Sequence, residues 1–246
     1  MRFIFIDTPM SPIDFITLEE AMFQLKKTNE IEDTVFLCKP SKFILELINA
    51  SPIYIGLDYA SRKGYNIYRS GVIHGGSTSI VLMDNMWYMF LASGDNTLNK
   101  DICYEAWKFV LNKMNILYTS DGSCIFSAQS GKKIAAYGDS TSRKITFTNC
   151  GLQEIAISKT IKLNELLLTN EVCTPPDNLT SIQEETGNVF DTLWLKNTII
   201  EYFNSIGISL QEGSISKLEI DKANTLVSKH TSEEWITYGR NQPDFI

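Results

Sequence analysis

Strand-like runs and helical periodicities alternate along the chain. Met1 to Asp7 reads as a first strand. Ser11-Pro12 sets an N-cap with proline at the first helical position, and Phe15, Leu18, Met22 and Leu25 then recur at helical spacing, with Glu19 and Glu20 off that stripe. Asp33–Cys38 and Lys42–Leu47 read as strands around Lys39-Pro40-Ser41, followed by a short helix from Asp58 to Lys63 and a strand Tyr65–Tyr68. Ile80–Met83 and Met86–Ala92 predict a hairpin around Asp84-Asn85. Leu98, Ile102, Ala106, Phe109 and Val110 mark a helix from about Thr97 to Asn115, with Trp107 beside the stripe. Further on come a strand Arg143–Thr148, a short helix Leu163–Leu168 and a long helix Asn188–Ile206 ended by Gly207. A last helix, Ser214–His230, carries Ile215, Leu218, Ala223, Leu226 and Val227.

Two stretches carry candidate chemistry. Ser123–Gln129 and Lys132–Tyr137 flank Ser130-Gly131, a short-hairpin signal because glycine takes the positive φ such turns need. Simple alternation puts Lys133, Ala135 and Tyr137 on one face, with room above Ala135 for a ligand beside the ammonium. A solvated hairpin tip fits the same pattern. Arg69-Ser70-Gly71-Val72-Ile73-His74-Gly75-Gly76-Ser77-Thr78-Ser79 is the other: three glycines among small hydroxyl residues let backbone N–H groups approach an anion or a carboxyl group. It also fits a glycine-rich turn, and His74 reads either as a base or as a hydrogen-bonding partner of that turn.

The 246 residues, 43% hydrophobic, suffice for one large core. A net charge of −7 argues against a general nucleic-acid binder. No apolar run reaches the ~18–20 residues of a membrane span, and the first residues lack a signal-peptide core, so a cytoplasmic protein is expected. Five cysteines (38, 103, 124, 150, 173) without a C-x-x-C spacing, and only two histidines, indicate neither a disulfide framework nor a metal site.

Gly131-Lys132-Lys133-Ile134-Ala135-Ala136 resembles the G-x-K-I-A-G/A segment of the lipoate–protein ligase and octanoyltransferase superfamily, the biotin/lipoate A/B protein ligase family. Leu18-Glu19-Glu20-Ala21 resembles its L-E-E-A, Leu179-Thr180-Ser181-Ile182 its V-T-S-L, and the tail around Glu234-Trp235 to Phe245 the ligases' E-W-x-x-G-x-x-P-x-F. The resemblance implies an α/β (α+β) fold, a mixed, mainly antiparallel sheet flanked by helices, as in biotin ligases and class II aminoacyl-tRNA synthetases. Residues 1–230 would form the catalytic domain and 231–246 a tail like the linker to an accessory domain. The lysine matching Lys133 contacts the acyl carbonyl and phosphate of an acyl-adenylate in the family. Arg69, Ser70, Gly71, His74, Gly75, Gly76 and Ser77, with Gly131 and Ala135, would line the substrate.

The implied activity is ATP- and Mg2+-dependent activation of lipoate or octanoate to acyl-AMP, then transfer to a lysine of a lipoyl carrier domain, with an accessory domain supplied by a separate chain. There are departures. Leu45-Glu46-Leu47-Ile48-Asn49 lacks the family's nucleotide-side I-G-x-x-Q, the glycine stretch fits neither family pattern fully, and Cys150 stands where a histidine is usual and reads as a structural thiol. Two alternatives therefore stand beside the ligase. One is an octanoyltransferase with Cys173 as thioester nucleophile, although Val172-Cys173-Thr174 replaces its P-C-G; Cys173 also reads as a plain loop thiol. The other is a non-catalytic lipoyl- or carrier-binding subunit.

Overall fold

The computed structural model describes residues 1–46, 66–72, 80–95, 97–142, 145–156 and 178–238. Strand β1 (Arg2–Met10), helix α1 (Pro12–Lys27) and strand β2 (Thr34–Pro40) open the fold as a β-α-β unit, with β1 and β2 parallel neighbours in the main sheet. Ser11 caps α1 as its sequence implies: its Oγ accepts from the Asp14 N–H at 3.2 Å, and Pro12 opens the helix. Three short strands follow in the chain, β3 (Phe43–Glu46), β4 (Ile67–Arg69) and β5 (Ile80–Met83), and pair with one another in the order β4-β3-β5.

The chain returns to the main sheet with β6 (Met86–Ser93), crosses it with α2 (Ile102–Lys113), and completes the meander with β7 (Tyr118–Ser120), β8 (Cys124–Ser127), β9 (Lys133–Ser142) and β10 (Ile145–Gln153). After it come α3 (Ile182–Thr186), α4 (Thr192–Ser205), β11 (Gln211–Glu212), α5 (Lys217–Thr231) and α6 (Glu233–Tyr238). The eight strands of the main sheet lie in the order β11-β1-β2-β6-β10-β9-β8-β7, parallel only around β1. This is the mixed, mainly antiparallel sheet flanked by helices that was expected. Among the described residues no helix is long and apolar enough to cross a membrane.

Alternation along the buried strands divides two cores. Val35, Leu37, Trp87, Met89, Cys150 and Leu152 face α2 and α4, where Trp107 and Phe203 are fully buried. Phe36, Tyr88, Phe90 and Phe147 face α1, together with Met83 from β5 and Val72 just after β4. The small sheet is therefore tied to the α1 face of the large one. Cys150 is buried among the first set and its thiol is pushed up by burial, as befits a structural thiol.

Three expectations change. The Asp84-Asn85 turn, with Asn85 at φ +55°, joins two sheets and makes no hairpin: β5 pairs β3, whereas β6 pairs β2 and β10. The stretch expected as one helix from Asn188 starts later, at Thr192, because Asp191 caps it through the Trp194 N–H at 2.7 Å; Gly207, at φ +82°, ends it. Glu19 and Glu20 are buried, not off the stripe, and in α5 the buried set is Glu219, Ala223, Leu226 and His230 while Leu218 and Val227 are exposed. The helices expected at Asp58–Lys63 and Leu163–Leu168 lie outside the described residues.

Candidate functional site

The β8–β9 hairpin turns through four residues, 128–131, rather than two. The Ser127 N–H donates to the Lys132 carbonyl at 2.9 Å, and the Gly131 N–H donates to the Ser127 carbonyl at 2.9 Å. Gly131 sits at φ +70° with open space around it, so backbone conformation and not crowding requires glycine there. Glu185 on α3 staples this turn. Its carboxylate accepts from Ser127 Oγ at 2.6 Å, Ser130 Oγ at 2.7 Å and Thr180 Oγ1 at 2.7 Å. Burial pushes the Glu185 carboxyl up, but these three hydroxyls and the nearby Lys132 ammonium outweigh it and hold it below the usual range. The Thr180 N–H in turn donates to the Lys133 carbonyl at 2.9 Å, so the segment before α3 fixes the backbone of Lys133.

A bulge sets the direction of the Lys133 side chain. Ile125 pairs with Ala135, but the next β8 residue, Phe126, pairs with Lys133, leaving Ile134 as the extra residue. Ile134 and Ala135 consequently both enter the core beneath α2. Lys133, in register with Phe126, takes the opposite, α1 face. The single face shared by Lys133, Ala135 and Tyr137 in a plain alternation is thus overturned, and Ala135 belongs to the other core. Lys133 is only 8% exposed, and among the described residues no hydrogen bond or ion pair holds its ammonium. Burial of a cation without a partner is costly, and an anion or a polarised oxygen beside it would offset that cost. Next to it on the same face are the small pair Ala136 and Gly151.

The start of the glycine stretch reaches the same face by another route. Val72 packs among Met86, Tyr88 and Phe90. Ser70 Oγ accepts from the Val72 N–H at 3.1 Å and donates to the Val72 carbonyl at 2.9 Å, closing a tight turn. Gly71 is buried with its Cα against Glu20: a Cβ there would lie 1.7 Å from Glu20 Oε2. Arg69 is fully buried, and its Nε donates to the Ile236 carbonyl at 3.2 Å. That bond joins β4 to α6. His74, Gly75, Gly76, Ser77 and Cys173 lie outside the described residues. Among the described residues no group of three or more His, Cys, Asp and Glu side chains converges as a metal site.

Glu20 is the centre of a buried charge cluster. It accepts from His230 Nε2 at 2.6 Å, from Lys229 Nζ at 2.7 and 2.8 Å, and from Gln24 Nε2 at 2.7 Å. His230 Nδ1 lies 3.1 Å from the Arg69 carbonyl. Each ring nitrogen of His230 thus faces an oxygen that only accepts, the Glu20 carboxylate on one side and the Arg69 carbonyl on the other. Burial alone pushes the Glu20 carboxyl up, but His230 and Lys229 reverse this and bring it from 4.5 down to about 2. A depressed carboxyl stabilises the fold fully above pH 4.5 and loses that contribution as pH falls toward 2. We expect about 3 kcal/mol of unfolding free energy to disappear across that window, with Glu20→Gln giving a flatter curve by urea titration. Parallel loss in both proteins would remove Glu20 from that role.

No family profile and no curated protein matches the sequence. Solved structures do match. A bi-partite lipoate protein ligase from Thermoplasma acidophilum superposes with a TM-score of 0.79 at 14% identity, over 100% of this chain and 98% of that one. A lipoate-protein ligase A bound with ATP gives 0.71 at 15% identity, over 96% and 97% of the two chains. The P. falciparum protein LipL1 in complex with lipoate gives 0.73 at 12% identity, over 98% of this chain and 75% of that one. The chain has the lipoate–protein ligase fold. At such identities the likeness is one of fold. Lys133 of the Gly131 hairpin and Val72 of the Arg69–Val72 turn, the two stretches singled out by sequence, both lie on the α1 side of the main sheet. Glu185, Glu20 and His230 were not singled out, and of these only Glu20 sat in a motif, as an ordinary helical residue.

Proposed function

We propose that the chain is a lipoate–protein ligase, which uses ATP to convert lipoate (or octanoate) to acyl-AMP and passes the acyl group to a lysine of a lipoyl carrier domain. The observation that carries this reading is the nearly buried Lys133 ammonium, unpaired among the described residues, on the α1 face of this fold. Solved proteins of the same fold are described with ATP and with lipoate, and one with its E2 lipoyl domain, which names the substrates to try.

The chemistry has two steps. The lipoate carboxylate attacks the α-phosphorus of ATP, forming the acyl–phosphate bond as pyrophosphate leaves. The acceptor lysine's amine then attacks the acyl carbonyl, and AMP leaves as the amide forms. Both steps gather negative charge on oxygen, at the phosphate and then at the carbonyl. Lys133 donates hydrogen bonds there, and a fixed cation stabilises the transition state beyond the ground state. Lysine suits the task as a compact charge with three donors. Mg2+ would enter with the nucleotide phosphates, which usually supply much of its coordination. The stretch beginning Arg69-Ser70-Gly71 would cover the acyl head and phosphate. A separate accessory chain is part of this reading, since the Thermoplasma ligase is bi-partite, and the reaction is placed in the cytoplasm.

The test is lipoylation of a carrier domain by the purified chain, with and without ATP, beside Cys173→Ala. The ligase reading expects strict dependence on ATP, pyrophosphate release, and a Cys173→Ala variant within about twofold of wild type. Transfer from octanoyl-carrier without ATP, abolished by Cys173→Ala, would establish the transferase instead. Tight lipoate binding with no turnover, even with an accessory chain supplied, would establish a binding subunit.

A further inference from the structure

Two sequence features with no chemistry of their own meet at the glycine stretch. One is Glu20, from the Leu18–Ala21 segment of α1. The other is Trp235, from the C-terminal tail. The Arg69 carbonyl, at the exit of β4, accepts from Trp235 Nε1 at 3.3 Å and from His230 Nδ1 at 3.1 Å. The Arg69 side chain reaches back to the Ile236 carbonyl on the same short helix. His230 also holds Glu20, whose carboxylate occupies the space a Gly71 side chain would need. The rings of His230 and Trp235 meet edge to face at 5.9 Å, and Lys229 Nζ lies 3.8 Å from the centre of the Trp235 ring. Residues 69–71 are therefore gripped from both sides, by α1 beneath and by α5 and α6 behind.

We infer that His230 and Trp235 are positioning residues: they fix Arg69, Ser70 and Gly71, and through these residues they set how tightly the acyl group is held, without touching it. The anchoring stands on geometry alone. Its effect on lipoate rests on the ligase reading above. The bonds of His230 to Glu20 and of His230 and Trp235 to the Arg69 carbonyl are buried, where a hydrogen bond competes least with water and its loss leaves an acceptor stranded. The grip also makes the C-terminal helices part of the substrate site, although they contribute no strand beside Lys133.

Trp235→Phe is the variant of choice, because it keeps an aromatic ring against Lys229 and His230 and removes only the indole donor. His230→Gln is the second, since a glutamine amide can donate to one acceptor but cannot hold both. The measurements are hydrogen exchange at the Ser70, Gly71 and Val72 amides by mass spectrometry, and lipoate kinetics. Exchange there should rise by about tenfold in Trp235→Phe, and further in His230→Gln. KM for lipoate should rise about three- to tenfold while kcat stays within about twofold. A merely structural role would lower the melting temperature without this split between KM and kcat.

Unchanged exchange at these amides in both variants overturns the anchor. Raised exchange with an unmoved KM keeps the anchor and overturns its hold on the acyl group. Should wild type bind no lipoate at all, the ligase reading fails, and the exchange data still decide the anchor on their own.

Discussion

On the ligase reading, Lys133→Ala is expected to slow single-turnover acyl transfer by about 10²–10³-fold, or ~2.7–4 kcal/mol of transition-state stabilisation, and to leave the protein folded. Both halves of this outcome follow from the surroundings of the side chain. The ammonium is nearly buried, and among the described residues nothing pairs with it, so its removal breaks no ion pair among them and relieves a desolvation cost. What holds the strand in place is backbone: the Thr180 N–H on the Lys133 carbonyl, and the pairing to Phe126. Those contacts survive truncation. Lys133→Arg should not rescue, because a planar guanidinium on a longer lever cannot take the position of a compact charge beside Ala136 and Gly151. Rapid-quench single turnover, with circular dichroism melting on the same samples, reads both quantities. A variant that transfers at wild-type rate would strip Lys133 of its role.

Gly71→Ala is the most damaging single methyl group to add among the described glycines. Its Cβ would fall 1.7 Å from Glu20 Oε2 and 2.2 Å from the carboxyl carbon, so the carboxylate must leave. A carboxylate at the end of a free side chain would swing away at little cost. This one is bonded to His230, Lys229 and Gln24, and moving it leaves the buried His230 ring without its acceptor. The expected loss is about 3–5 kcal/mol of stability, the range for breaking a buried ion pair, together with loss of lipoate binding. Gly151→Ala provides the contrast. Its Cβ would lie 2.4 Å from Met86 Cε, a methyl on a flexible chain that can turn aside, so about 1–3 kcal/mol is expected. Urea unfolding of the two variants side by side reads the difference. Equal and small effects would mean that Glu20 is free to move.

The fold was largely legible because its helices and strands carry clear periods: the Ser11-Pro12 start of α1, the Ile102, Ala106 and Val110 stripe of α2 and the glycine stop after α4 each follow from local chemistry. The hairpin bearing Lys133 was legible from Ser130-Gly131, but the direction of Lys133 was not. A bulge leaves no mark in a period-two pattern, and it moved Ala135 away from the lysine it was expected to accompany. The charge cluster was hidden for another reason. Buried glutamate and histidine look like solvated residues in any hydropathy reading, so Glu19, Glu20, Glu219 and His230 put the stripes of α1 and α5 out of register. Their partners are distant in sequence, 210 residues for Glu20 and His230 and 69 for Glu19 and Tyr88, and only the tertiary fold brings them together. The Asp84-Asn85 turn misled because hairpins and sheet-to-sheet turns share one composition.

The most direct measurement is calorimetric titration of the protein with a non-hydrolysable lipoyl-adenylate, in which a sulfamoyl group replaces the phosphate ester, against wild type and Lys133→Ala. With Lys133 gripping the carbonyl and the sulfamoyl oxygens, wild type binds tightly and the variant binds roughly a hundredfold more weakly. Equal affinity for the two proteins, or no binding by wild type, would contradict the assignment of this ammonium to an acyl-adenylate.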